Sequence, residues 1–232
     1  MNKTPYHETK FNVGNTIFPQ FNDKGGLMIC GYEYGYNEHD KYLEKECSDF
    51  IKSKTSEFHT FHTKTSIYDS PYDKKIIKWF DFFGHPLGLD GGNSKFDKCI
   101  LQTNWCDGQG TYVNDYEKFL AEENVNNFLS HVENYRPSLL IFMGSKLIDY
   151  LQNSCVKNRF TDIFGNETSS LEKISKDFSG RKFRIGFQSF ENTTIISFPH
   201  PSGTRGLHND YIKLFKPEIH SIIQNFRVNK GV

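Results

Sequence analysis

The chain has 232 residues, enough for one large domain to bury roughly 70–75% of the surface its unfolded form exposes. Its 28 basic and 28 acidic side chains cancel, which excludes a globally basic nucleic-acid binder and leaves any DNA contact to a local patch. The five cysteines, Cys30, Cys47, Cys99, Cys106 and Cys155, form no CxxC pair, which argues against a disulfide framework and against a zinc or iron–sulfur site.

In chain order, LMIC (27–30) reads as a buried strand, and Ile76, Ile77, Phe80 and Phe83 mark a helix after it. CILQTN (99–104) is a second strand. Ala121, Val125, Phe128, Leu129 and Val132 then repeat at helical spacing until Pro137 stops them. SLLIFMG (138–144) is a third strand, and Ser145 is placed to cap a helix through Leu147, Ile148 and Leu151. Residues 157–192 are weakly patterned and polar. Within them RKFRIGFQSF reads as an added strand, and Arg181, Lys182 and Arg184 as a solvated basic face. TTIISFP (193–199) is the fourth main strand. A last helix runs from about Asn209 to Phe226, with a kink expected at Pro217. Apolar runs separated by helical patterns predict a three-layer α/β/α fold with a central, mainly parallel four-stranded sheet, in one domain over 1–232. Most of the 22 Phe and 12 Tyr are read as core.

Ligands of such sheets bind at the carboxyl ends of the strands, where strand order reverses, so the residues after each run carry the information. After the first run comes CGYEYGYNEHD, with Glu33 flanked by Gly31 and Gly35; after the second comes Asn104; after the third, GSK; after the fourth, FPHPSGTRGLHND. Pro199 and Pro201 each fix their own φ and hold Phe198 and His200 extended, presenting the imidazole at a fixed place. Gly203 and Gly206 allow a tight turn and a close approach. Ser202, Thr204 and the N–H groups opening the last helix suit a phosphate.

With GYEYG, the run ending in Asn104, LIFMGS and HPSGTRGLHN in this order, the chain resembles the uracil-DNA glycosylase superfamily from about Gly26 to Phe226. The resemblance implies an enzyme that flips a base out of the stack and hydrolyses its N-glycosidic bond, leaving an abasic site. It implies catalytic roles for Glu33, which would hold a water beneath C1′ or steady positive charge on the sugar, and for His200, which would stabilise the departing base. Asn104 would read the base edge, alongside Gly31, Tyr32, Tyr34 and Gly35, and Phe61 rather than Phe58 would stack on the base. Ser145, Ser202, Gly203, Thr204, Arg205 and Leu207 would touch DNA. Thr204, Arg205 and Leu207 are candidates for the gap left by the flipped base, and Leu207 is equally a staple into the last helix.

Three departures bear on substrate. Glu33 stands where most active members have Asp or Asn, Tyr34 replaces a proline, and Gly35 stands where strict uracil enzymes place a tyrosine against C5 of the base. Without that wall the pocket is expected to admit a 5-substituent, because rejecting one methylene by sterics is worth only about 1–3 kcal/mol. Substrates then extend from uracil to 5-modified pyrimidines, including the modified cytosines of viral DNA, and a surveillance or defence role would follow. Tyr32, Tyr34 or Tyr36 refilling the space would restore uracil selectivity. The Asn104 amide presents donor and acceptor in either order and does not choose between uracil and cytosine.

The expected partner is DNA carrying uracil or a modified pyrimidine, bound by a monomer without cofactor or metal. The apolar runs are too short for a membrane span and MNKTPYHETK has no signal core, so a cytoplasmic location is expected. A different-class alternative is a catalytically weak module on the same scaffold that binds DNA or protein. An unrelated hydrolase using Glu33, Asp107 and His200 is disfavoured, since no GxSxG elbow, P-loop or carboxylate cluster is present. His59 and His62 have metal-compatible spacing but no third ligand nearby.

Overall fold

The computed structural model describes residues 13, 17–35, 71–89, 94–110 and 116–232. Eight strands are present among them: β1 (Leu27–Gly31), β2 (Tyr34–Gly35), β3 (Ile100–Asn104), β4 (Gln109–Gly110), β5 (Leu139–Met143), β6 (Glu167–Ile174), β7 (Ile185–Phe190) and β8 (Thr193–Phe198). The helices are α1 (Pro71–Phe82), α2 (Lys95–Lys98), α3 (Glu122–Tyr135), α4 (Leu147–Leu151), α5 (Ser154–Phe164), α6 (Asn209–Lys213) and α7 (Lys216–Lys230), with a 3-10 helix at Glu117–Leu120.

The main sheet is six-stranded and mixed, in the order β3-β1-β5-β8-β7-β6. The four anticipated strands pair in parallel with one another, whereas β7 and β6 are added antiparallel beyond β8. A four-stranded sheet was therefore too small an expectation. β2 and β4 form a separate two-stranded ladder.

Alternate residues of each central strand enter opposite cores, as a period of two requires. Leu27, Ile29, Leu139, Ile141, Ile196 and Phe198 face Trp79 and Phe80 of α1 and Tyr211, Ile219 and Ile223 of the last helices. Met28, Cys30, Leu140, Phe142 and Ile195 face Val125, Phe128 and Val132 of α3, Leu147 of α4, and Val156 and Phe160 of α5. With both faces covered, β1 and β5 read as unbroken apolar runs, each such side chain contributing roughly 1.5–3 kcal/mol by burial.

Three local expectations are corrected. The weak 157–192 stretch holds the end of α5 and all of β6 and β7. β6 lies at the sheet edge with most side chains exposed, so no burial pattern marks it. The last helix is broken at Leu214 and Phe215 rather than kinked at Pro217. Pro217 lies in the first turn of α7, where a missing N–H costs nothing. Lys146, not Ser145, is the residue before α4, and no side chain caps that helix. The end of α3 is as anticipated, with Arg136 in the left-handed region (φ 38) ahead of Pro137. No helix among the described residues is long and apolar enough to cross a membrane.

Candidate active site

The chain leaves β1 for β3 on one side and then crosses to β5 on the other, so strand order reverses at β1. The carboxyl ends of β1, β3, β5 and β8 meet at that edge and deliver Tyr32 and Glu33, Asn104, Gly144 and His200.

Close packing of backbone and rings builds the floor. Gly31 lies opposite Asn104 in the parallel ladder, and a Cβ there would stand 2.5 Å from Asn104 Oδ1 and 3.3 Å from the Tyr72 hydroxyl. The ladder continues past the strands, since Trp105 and Cys106 N–H donate to the Gly31 and Tyr32 carbonyls at 2.9 Å. Asn127 of α3 pins this segment by donating to the Asn104 and Trp105 carbonyls at 3.1 and 2.7 Å. The Asn104 side-chain amide makes no hydrogen bond among the described residues and is free to meet a ligand.

Tyr32 is clamped. Its ring covers Gly144, where a Cβ would fall 2.4 Å from the ring, and its hydroxyl accepts from Lys146 N–H at 3.1 Å. Burial, the largest cause, pushes that hydroxyl up to about 12, so it stays protonated. Its opposite neighbour is His200, stacked at 5.9 Å and 15°. Tyr72 of α1 flanks the imidazole at 5.2 Å.

His200 has a defined state. Its Nδ1 accepts from Gly203 N–H at 2.8 Å, so the neutral ring carries its proton on Nε2 and presents a donor there. Burial, reinforced by Lys75, holds the ring down at about 4, so it is neutral near pH 7. Lys75 also donates to the Pro201 carbonyl at 2.6 Å, tying the turn to α1. A Cβ at Gly203 would lie 2.9 Å from Nδ1, so this glycine makes room for the histidine itself.

Glu33 follows Tyr32 and its side chain is only 5% exposed. One carboxylate oxygen, Oε2, is ion-paired with Lys118 from the 3-10 helix. The other, Oε1, is buried without a hydrogen-bond partner among the described residues. Burying an unpartnered carboxylate oxygen is costly, and a ligand or water completes such a site.

The structure thus brings together Gly31, Tyr32, Glu33, Asn104 and His200. Ser202 and Arg205 are exposed on the turn after His200, with Thr204 half-buried. Ser145 is exposed beside Tyr32. Leu207, at 9% exposure, packs into the core with Tyr211 and Ile212, the arrangement of the staple reading. Of Tyr34 and Gly35 only the backbone is described, pairing with Gln109 and Gly110. Phe58, Phe61, His59, His62 and Tyr36 lie outside the described residues. Sequence reasoning missed Lys118, Tyr72 and Lys75. All three sit on short or initial helical turns whose polar residues carry no periodic signal, and only the tertiary fold brings them to this edge.

No protein-family model matches the chain, and no curated protein is significantly similar to it.

Proposed function

We propose that the protein is a monofunctional DNA glycosylase that hydrolyses the N-glycosidic bond of a flipped uracil or 5-modified pyrimidine. The observation that supports it best is a pairing of groups at one sheet edge: a buried carboxylate with one orphaned oxygen follows Tyr32 in the chain, and the Tyr32 ring stacks on a neutral imidazole presenting Nε2–H.

In this reading Glu33 Oε1 accepts a proton from the water that attacks C1′, while its charge steadies the cationic sugar. The C1′–N1 bond breaks and its electron pair passes into the base, whose developing oxyanion accepts from His200 Nε2–H. The base leaves as an anion and takes its proton from solvent. A neutral donor suits this step because its hydrogen bond strengthens as charge grows on the oxygen. The Asn104 amide pairs with the base edge. Of the three tyrosines that could wall off C5, Tyr32 is anchored at Gly144 and Lys146 and committed to the floor.

One observation favours the alternative of a catalytically weak binding module: the second oxygen of Glu33 is already engaged by the Lys118 ion pair. Base release decides between them. Oligonucleotides bearing uracil, a thymine mismatch, or hydroxymethylated or glucosylated cytosine are incubated with the protein and treated with alkali. Strand cleavage lost in Glu33→Gln and His200→Ala supports the glycosylase. DNA binding without cleavage of any base supports the silent module.

A further inference from the structure

β7 runs antiparallel to β8, with Gly186 opposite Ser197, so the start of β7 lies beside the end of β8. The connection from β6 to β7, residues 175–184, therefore emerges at the same edge as His200. Its apolar residues anchor it. Phe178 and Phe183 pack on Tyr211 at 6.0 and 5.4 Å, the Tyr211 hydroxyl donates to the Phe183 carbonyl, and Lys176 N–H donates back to that hydroxyl at 3.1 Å. Ser179 and Gly180, both at positive φ, turn the chain tightly between Phe178 and Arg181.

The cations of this connection lie at the surface. Arg181, Lys182 and Arg184 are exposed. Lys182 is paired with Asp177 at 3.0 Å, but Arg181 and Arg184 have no carboxylate partner among the described residues. Arg181 Nη1 donates to the Gly206 carbonyl at 3.2 Å, joining this connection to the turn after His200. A Cβ at Gly206 would collide with that guanidinium, 1.7 Å away. Arg205, exposed and likewise unpaired, is its near neighbour in sequence. In a chain of zero net charge, Arg181 thus reaches the turn that carries Arg205, and Arg184 is exposed on the same connection, none of the three with a carboxylate partner among the described residues.

We propose that the 175–184 connection is a phosphodiester-binding surface: Arg181, Arg184 and Arg205 grip the DNA backbone flanking the base presented to His200. The aromatic anchors hold the surface rigid, and guanidinium forks suit phosphate oxygens. This inference rests on the glycosylase reading for its choice of partner.

The test is the salt dependence of binding to a short uracil-containing duplex and to the matching single strand, between about 50 and 200 mM salt. Arg184→Gln/Arg205→Gln removes two cations that form no ion pair or hydrogen bond among the described residues and leaves Arg181 in place. Lys95→Gln/Lys98→Gln removes the same charge from α2, at the amino end of β3 and so at the opposite end of the sheet. Equal urea midpoints for all three proteins verify folding. The expected result is that the first pair lowers the slope of log K against log salt by about 1–2, at roughly 0.9 per lost phosphate contact on duplex, while the α2 pair leaves it unchanged. An unchanged slope in the first pair, an equal fall in both, or no binding by the parent protein would overturn the surface. Base release scored in the same samples separates the two readings. An Arg-dependent slope without release keeps the surface and removes the hydrolase, and release with an unaltered slope does the reverse.

Discussion

His200 carries its proton on Nε2 because a backbone N–H already occupies Nδ1, and it stays neutral because burial and Lys75 disfavour the cation. Held at about 4, it is expected to add no inflection between pH 5.5 and 8 to the base release proposed for this site, although a solvent histidine would titrate near 6.5. A rate profile with a histidine limb that disappears in His200→Ala would contradict this assignment. The same substitution is expected to slow single-turnover release by about 10²–10³, the usual loss for one transition-state donor. Glu33→Gln should cost about 10²–10⁴ by removing the base while nearly preserving shape. Gly144→Ala tests the floor. Its Cβ would enter the Tyr32 ring, so a loss of roughly 1–3 kcal/mol in urea unfolding is expected, together with slower release. A fully stable and active Gly144→Ala protein would show that Tyr32 is free to move. HPSG itself was legible at this scale: prolines beside a histidine and glycines after it do predict a locked ring. The partner of Gly203 was not, because the chain turns back on His200 rather than outward to phosphate.

At the scale of elements, β1 and β5 were legible because burial on both faces leaves unbroken apolar runs, and β3 and β8 through the shorter apolar pairs Ile100–Leu101 and Ile195–Ile196. β6 was not, since an exposed edge strand made mostly of charged and hydroxyl residues looks like loop. α5 was missed despite Val156, Phe160 and Phe164 at helical spacing, a stripe diluted by the polar residues between them. That stripe is core: Phe160 packs on Phe164 at 4.5 Å and on Phe190 of β7 at 5.0 Å. Phe160→Ala should therefore destabilise the protein by about 3–5 kcal/mol in chemical denaturation. Ser170→Ala on the exposed face of β6 should stay within roughly ±0.5 kcal/mol. Equal effects at the two positions would mean that α5 does not belong to the folding unit.

At the scale of the whole molecule, three histidines among the described residues are held neutral, His85, His131 and His200, each at about 4 with burial as the first cause. His85 lies beside His220 and Arg227 on one side of the sheet, and His131 of α3 lies 3.0 Å from Thr103 Oγ1 on the other. In the unfolded chain all three titrate near 6.5. Above that pH neither state binds these protons and stability is complete. Between about 6.5 and 4 the unfolded chain takes up as many as about three protons that the folded protein refuses, so stability falls as pH falls through this window. Below about 4 both states are protonated and this loss stops growing. Urea midpoints measured from pH 7.5 down to 4.5 should decline, and His131→Asn should flatten the decline even where it lowers the midpoint itself. A midpoint independent of pH over this range would show the three rings to be protonated in the folded state.

The sequence by itself determined the four parallel strands, the helix that stops before Pro137 and the placement of Glu33, Asn104 and His200 at the carboxyl ends of those strands, because each follows from local rules: burial periodicity, proline stereochemistry and position after a strand. Only the tertiary structure decided that Lys118 engages Glu33, that Tyr32 lies on Gly144 and beneath His200, that Leu207 turns inward, and that Arg181 reaches Gly206. These contacts join residues that, Leu207 apart, are distant in sequence. No local rule sets such a distance, which follows from the strand order and from how the two helical layers close over the sheet.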